Sequence, residues 1–281
     1  MAIDKKQLET AGTYQAQGPL RSILEDIDEI GIFLAEIEGK RRKFRKFGGI
    51  AMLAGLLLAI AASILHISVL PALTFLAFAT GVGLYIYSFV YGRAMHTHHS
   101  RYDLLKKLVE VLQRDADPRS AFSVKLALKP QPTLLRDEPW ADRKNGKQKF
   151  FEEDYLSIEG ELLDGTVVSE NLTELTRKRS FTNPRGKSKT KTRSRYILAL
   201  KFRYPTDVYV DARPAQQALH EEIRLPPSAT VRDMRVDEKA ITVKSIVKIE
   251  KDIVQATTMT CLGAYRILNL ARRVAATGGA K

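Results

Sequence analysis

Two long apolar segments dominate the pattern of hydrophobic and polar positions in this chain. Residues 48–65 and 72–91 contain no Asp, Glu, Lys or Arg, and only a short turn separates them. An apolar helix of about 20 residues crosses the hydrocarbon layer of a bilayer. The pattern therefore predicts a two-helix transmembrane hairpin over residues 47–91.

The charges that flank these segments predict an orientation. Lys and Arg are enriched on the cytoplasmic side of membrane spans, and the turn between the segments contains neither. We therefore expect a two-pass protein of a bacterial inner membrane, with both termini and the β domain in the cytoplasm. The residues predicted to lie at the membrane interface, beside anionic headgroups, are Lys40, Arg41, Arg42, Lys43, Arg45, Lys46 and Arg93.

Small residues recur within both apolar segments and predict close helix packing, because membrane helices associate through such stripes. The stripe residues are Ala51, Gly55, Ala59 and Ser63 in the first segment, and Ala77 and Gly81 in the second. Packing of the hairpin onto itself and assembly into an oligomer both remain open.

Helical periodicity continues on either side of the apolar segments. Residues 18–46 and 92–117 are predicted to form amphipathic helices, and residues 1–17 a mobile polar tail. The first helix carries one coiled-coil heptad frame, formed by Leu20, Ile23, Ile27, Ile30, Leu34, Ile37 and Phe44. An antiparallel pair of the two helices is the simplest arrangement, and a homo-oligomeric bundle is the alternative.

The period changes to two at Phe122, which is typical of half-buried strands. Strands are predicted at residues 122–128, 155–163, 166–181, 187–204, 208–210, 230–236 and 240–249. The segment 118–250 is therefore predicted to be an antiparallel sandwich or barrel, with a long loop at 130–149 and an undecided helix or strand at 214–225. Residues 251–281 are predicted to form a C-terminal amphipathic helix and tail, which makes the whole an α+β membrane protein.

Charge adds one further feature. The chain has 45 basic and 32 acidic residues, and its net charge of +13 is concentrated in residues 40–46 and 177–195. In the second cluster, cations alternate with hydroxyl residues along one strand, which predicts a basic hairpin at residues 172–204. Its predicted polyanion-binding residues are Arg177, Lys178, Arg179, Arg185, Lys187, Lys189, Lys191, Arg193 and Arg195. Protection of a sheet edge against aggregation is the alternative role.

The motifs predict neither cofactor nor metal, and no catalytic residues. His96, His98 and His99 are interpreted as interfacial residues, and Cys261 as a small buried residue. The expected function is a scaffold or binding protein, not an enzyme, which oligomerises and contacts lipid headgroups or an acidic protein partner through the basic hairpin. Nucleic acid is a weaker partner, because Phe181 is the only aromatic residue in the cluster. An enzyme with a site assembled only by the fold, and a subunit of a pore or transport complex, are the alternatives.

Overall fold

The computed structural model describes residues 12–65, 70–140, 146–182, 186–209, 212–213 and 223–278, without the side chains of 61–65, 70–73, 77, 89, 91–99 and 271–278. The strands are β1 (Thr13–Gly18), β2 (Phe122–Ala127), β3 (Thr133–Pro139), β4 (Lys147–Glu161), β5 (Val167–Thr182), β6 (Ser188–Arg203), β7 (Ala229–Val236) and β8 (Ala240–Val247). The helices are α1 (Leu20–Leu65), α2 (Leu70–Leu112) and α3 (Ile253–Gly278), and a 3-10 turn (Glu250–Asp252) precedes α3.

All eight strands join one antiparallel sheet in the order β1-β2-β4-β5-β6-β8-β7, and β3 pairs with the first part of β4. The alternation that predicted the strands also orients them. In β2, Phe122, Val124 and Leu126 are buried, whereas Ser123 and Lys125 are exposed. One face of the sheet is therefore apolar and needs a second layer.

Helix α3 supplies part of that second layer by packing on β6 and β8. Ala256 and Ile267 of the helix are fully buried, as are Leu200 and Phe202 of β6. The prediction of a sandwich or barrel is therefore wrong: the protein is a mixed α+β protein with a large antiparallel sheet. A helix covers the apolar face that a second sheet would cover in a sandwich.

Two segments without predicted strands contribute to the sheet. Residues 13–17, assigned to a mobile tail, and Gly18, assigned to the following helix, form β1 and pair with β2. Tyr14, opposite Leu126, is buried. Residues 133–139, assigned to a loop, form β3. Conversely, Val208 and Tyr209 lie in a turn, and most of segment 214–225 lies outside the described residues.

The chain divides into two compact units, residues 26–102 and the remainder. Within the first, α1 and α2 form an antiparallel pair. A Cβ added to Gly31 would lie 2.2 Å from the Tyr102 hydroxyl oxygen, and the rings of Phe44 and Tyr87 are 5.5 Å apart. The heptad residues from Leu20 to Ile37 are buried within the single chain, whereas Phe44 is 37% exposed.

No helix among the described residues is long and apolar enough to cross a membrane. The predicted connecting turn at 66–69 lies outside the described residues.

This finding contradicts the predicted transmembrane hairpin and the predictions that depend on it. These are the two-pass membrane protein, its localisation in a bacterial inner membrane, and the cytoplasmic orientation of both termini and the β domain. The proposed membrane interface at residues 40–46 loses its basis as well. Those basic side chains are largely exposed on α1, and Arg42 forms an ion pair of 2.8 Å with Glu38 one turn earlier.

Candidate functional site

The two longest strands of the sheet, β5 and β6, extend beyond β8, which pairs with β6. Strands β5 and β6 pair along 16 residues each, but β8 ends with Val247 opposite Tyr196. Residues 188–195 of β6 therefore project past the part of the sheet that β8 and α3 cover. We call this region the outer sheet: β3, residues 147–154 of β4, 175–182 of β5 and 188–195 of β6.

The register of the outer sheet gathers cations on one face. Residues directly opposite each other in antiparallel strands project their side chains to the same side. Arg177 pairs with Arg193, and Arg179 pairs with Lys191. We call this the basic face, which comprises Arg177, Arg179, Lys189, Lys191, Arg193 and Arg195.

Glu138 and Glu152 share this face by register, but neither forms an ion pair with its six cations. Within the part of the chain that the structure describes, none of its six cations forms an ion pair; the nearby pairs instead join Arg136 to Glu138 and Lys149 to Asp137. Burial lowers the pKa of Arg177, and repulsion from Arg179, Arg193 and Arg195 lowers it further. The fold therefore holds like charges together at a cost in free energy.

Aromatic rings support the cationic side chains on this face. The Trp140 and Phe181 rings meet edge to face at 5.5 Å, and the Arg179 guanidinium lies 4.7 Å from the Trp140 ring centroid. Lys191 Nζ lies 5.9 Å from the Phe181 centroid. Gln148 accepts a hydrogen bond of 3.2 Å from Arg179 Nε. Rings and aliphatic stems thus replace the apolar core that the outer sheet lacks.

No protein-family model, curated protein or solved structure matches this chain.

The predicted polyanion-binding residues divide between the two faces. Lys178 lies on the opposite face, with its Nζ 4.9 Å from the Phe151 ring centroid. Lys187 immediately precedes β6, and Arg185 lies outside the described residues. Six of the nine predicted residues therefore share one face.

The sequence prediction included Phe181 but missed the other aromatic residues on this face, Trp140 and Phe150. Trp140 belonged to the predicted loop, but the pairing of Pro139 with Lys147 at the end of β3 brings it beside Phe181. Phe150 lies directly opposite Arg177. Their aromatic character within a charged segment was the available signal, but their position depends on strand pairing.

The predicted helix-packing residues have mixed environments. Gly55 and Gly81 are buried, Ala51 is half-buried and Ala59 is exposed. A Cβ added to Gly81 would lie 2.7 Å from Met52, so this glycine permits close approach of α1 and α2. The side chains of Ser63, Ala77 and Arg93, and those of the three clustered histidines, lie outside the described set.

A buried carboxyl group lies elsewhere in the sheet. Glu170 of β5 is fully buried, and its Oε1 accepts a hydrogen bond of 2.9 Å from Thr257 Oγ1 on α3. Its Oε2 and the Ser245 hydroxyl have no hydrogen-bond partner among the described groups. Burial raises the Glu170 pKa to about 7, and the Thr257 hydrogen bond partly offsets this.

Neighbouring groups do not complete a catalytic arrangement around Glu170. Burial, and secondarily the Glu170 charge, raise the pKa of the Cys261 thiol, so it is a poor nucleophile at neutral pH. The described residues contain no group of three or more His, Cys, Asp or Glu residues suited to a metal ion. Chemically, the exposed basic face is suited to binding anions.

Proposed function

We propose that this is a non-enzymatic binding protein that engages an anionic partner through the basic face. The supporting observation is the alignment of six cations on one side of β5 and β6 without an ion pair to any described carboxylate. An anionic ligand would relieve their mutual repulsion. The repulsion that destabilises the fold without ligand would therefore add to the free energy of binding.

Edge protection alone explains this pattern poorly. Charged residues often prevent aggregation on a strand that lacks a neighbour. Arg177 and Arg179, however, lie on β5, where β4 pairs with both residues on one side and β6 on the other. Cations on an interior strand do not protect an edge, so they favour ligand binding.

The structure changes the balance among the anionic partners. Preference for lipid headgroups depended on membrane tethering, which the described helices do not support. Aromatic residues beside the basic face could in principle stack on the bases of a nucleic acid. However, Arg179 lies over Trp140, and Phe181 is only 8% exposed. Base stacking would require these groups to move. An acidic protein is therefore the partner class that we favour, and self-assembly stays a prediction.

An enzyme has less support. Glu170 is the described carboxyl group whose pKa is raised to about 7, but full burial prevents contact with a substrate. The basic face carries no described Cys or His that could act as nucleophile or base.

The test is binding of the full-length protein to heparin and polyglutamate across a salt series. The variant carries Lys189→Glu, Lys191→Glu and Arg193→Glu. The matched control carries Lys147→Glu, Lys149→Glu and Lys178→Glu, which makes the same charge change on the opposite face. We expect affinity to fall with salt, and the first variant to lose at least about tenfold more affinity than the control. Equal losses in both variants would refute a specific role for the basic face.

A further inference from the structure

The basic face borders an open sheet edge. On one side, the backbone of residues 188–195 pairs with β5; on the other side, no described strand pairs with it. Ser188 to Arg193 are exposed. In antiparallel strands, successive residues direct their N–H and C=O groups alternately to the two sides. Every second residue of this segment therefore presents both groups outward.

The opposite edge of the outer sheet is covered. Strand β3 pairs with residues 147–152 of β4 and satisfies the backbone groups on that side. Residues 147–154 of β4 and 188–195 of β6 project comparably beyond the main sheet, but only β4 pairs with a described strand on its outer side. The open edge thus coincides with the strand that carries four of the six cations.

The side chains beside this edge define the required ligand. Lys189, Lys191, Arg193 and Arg195 project to one face, and small hydroxyl residues alternate with them on the other. Directly opposed residues of an added strand would have Cβ atoms about 5 Å from these side chains. Acidic residues at every second position would therefore meet the cations, whereas a second copy of β6 would place like charges opposite one another.

We propose that the outer half of β6 binds an extended acidic protein segment as an added β-strand. This inference depends on the proposed anion-binding function and specifies its partner. The segment has Asp or Glu at alternate positions, small polar residues between them, and a length of about eight residues, or roughly 27 Å. Main-chain hydrogen bonds to the edge give affinity, and alternate ion pairs set the register.

The experiment uses the full-length protein and four kinds of fluorescently labelled probe, with anisotropy as the binding signal. The first is an eight-residue peptide that alternates glutamate and threonine. The second has the same composition with the four glutamates consecutive. The third is the alternating peptide N-methylated at every second residue. It is made in two isomeric forms, one methylated at the glutamates and the other at the threonines. An eight-nucleotide single strand of DNA is the fourth. The variant and control described above are run in parallel.

We expect the alternating peptide to bind at least about tenfold more tightly than the block peptide. One N-methylated isomer should lose at least about tenfold in affinity, because its methyl groups replace the hydrogen bonds to β6. The other isomer should bind as the parent does, because its methyl groups face solvent. A ¹³C-labelled peptide should show the infrared amide band of an antiparallel strand when bound.

The outcomes separate this inference from the proposed function. Equal binding of alternating and block peptides, or equal effects of both methylated isomers, would overturn strand addition and leave general anion binding intact. Tighter binding of DNA than of the alternating peptide would overturn the acidic-protein assignment. Absence of binding to every anionic probe, and to heparin, would overturn both proposals.

Discussion

Replacement of Glu170 by Gln should make the stability of the protein less dependent on pH. Glu170 is buried between β5 and α3 and has a pKa raised from 4.5 to about 7. Below pH 4.5 both the folded and unfolded chains hold the proton. Between pH 4.5 and 7 the unfolded chain releases it while the folded chain retains it, so folding stability falls as pH rises.

The difference between the two pKa values sets the expected magnitude. A change from 4.5 to about 7 corresponds to roughly 3 kcal/mol, at about 1.4 kcal/mol per pKa unit. Most of this cost appears between pH 5 and pH 8. A neutral Gln avoids it and can still accept the Thr257 hydrogen bond. As the pH rises from 5 to 8, the free energy of unfolding of Glu170→Gln should therefore increase by about 2 to 3 kcal/mol relative to that of wild type.

Urea unfolding at several pH values, followed by tryptophan fluorescence, measures this difference. Trp140 is the only tryptophan, and it belongs to the same compact unit as Glu170. Glu161→Gln, at an exposed position of β4, is the matched control and should keep the pH dependence of wild type, because it retains Glu170. Parallel pH profiles for wild type and Glu170→Gln, or a loss of stability by the variant at pH 8, would refute the reasoning.

Three further substitutions test other contacts. Arg193→Glu should stabilise the fold by about 0.5 kcal/mol at low salt, because it places an acid opposite Arg177 in the register; the same unfolding assay checks this, and Arg193→Gln should give a smaller gain. Gly160→Ala should destabilise by about 1 to 3 kcal/mol, because the added Cβ would lie 2.1 Å from the Phe122 ring; an unchanged melting temperature would contradict that packing. Asp164→Ala should cost about 2 to 3 kcal/mol, because Asp164 accepts hydrogen bonds from Thr166, Tyr209 and Tyr265; calorimetry checks this against Asp164→Asn, which should lose less.

Local pattern predicted the strands that bury alternate residues. Strand β2 shows the regular alternation from Phe122 onward, and the basic hairpin followed from alternating charge. In contrast, β1 buries one large apolar residue, Tyr14, and β3 is largely exposed. Their strand conformation depends on pairing with β2 and β4, which local sequence does not encode.

The sequence likewise predicted only those features of the candidate site that local alternation determines. Alternation placed Lys189, Lys191 and Arg193 together, because a strand fixes that relation locally. The position of Trp140 required the pairing of β3 with β4, and the burial of Glu170 required α3, which approaches from 87 residues later in the chain. Both depend on contacts between distant segments.

The division of the chain into units imposes an order on biosynthesis. Residues 26–102 form one unit, and the other contains segments from both sides of it. Strand β1 pairs with β2, with Tyr14 opposite Leu126, so this pairing must await synthesis of the entire inserted unit. At about 5 to 20 residues per second, the ribosome would leave β1 without its partner for roughly 5 to 20 s. A nascent chain of this protein therefore has time to complete its helical unit before the sheet can close.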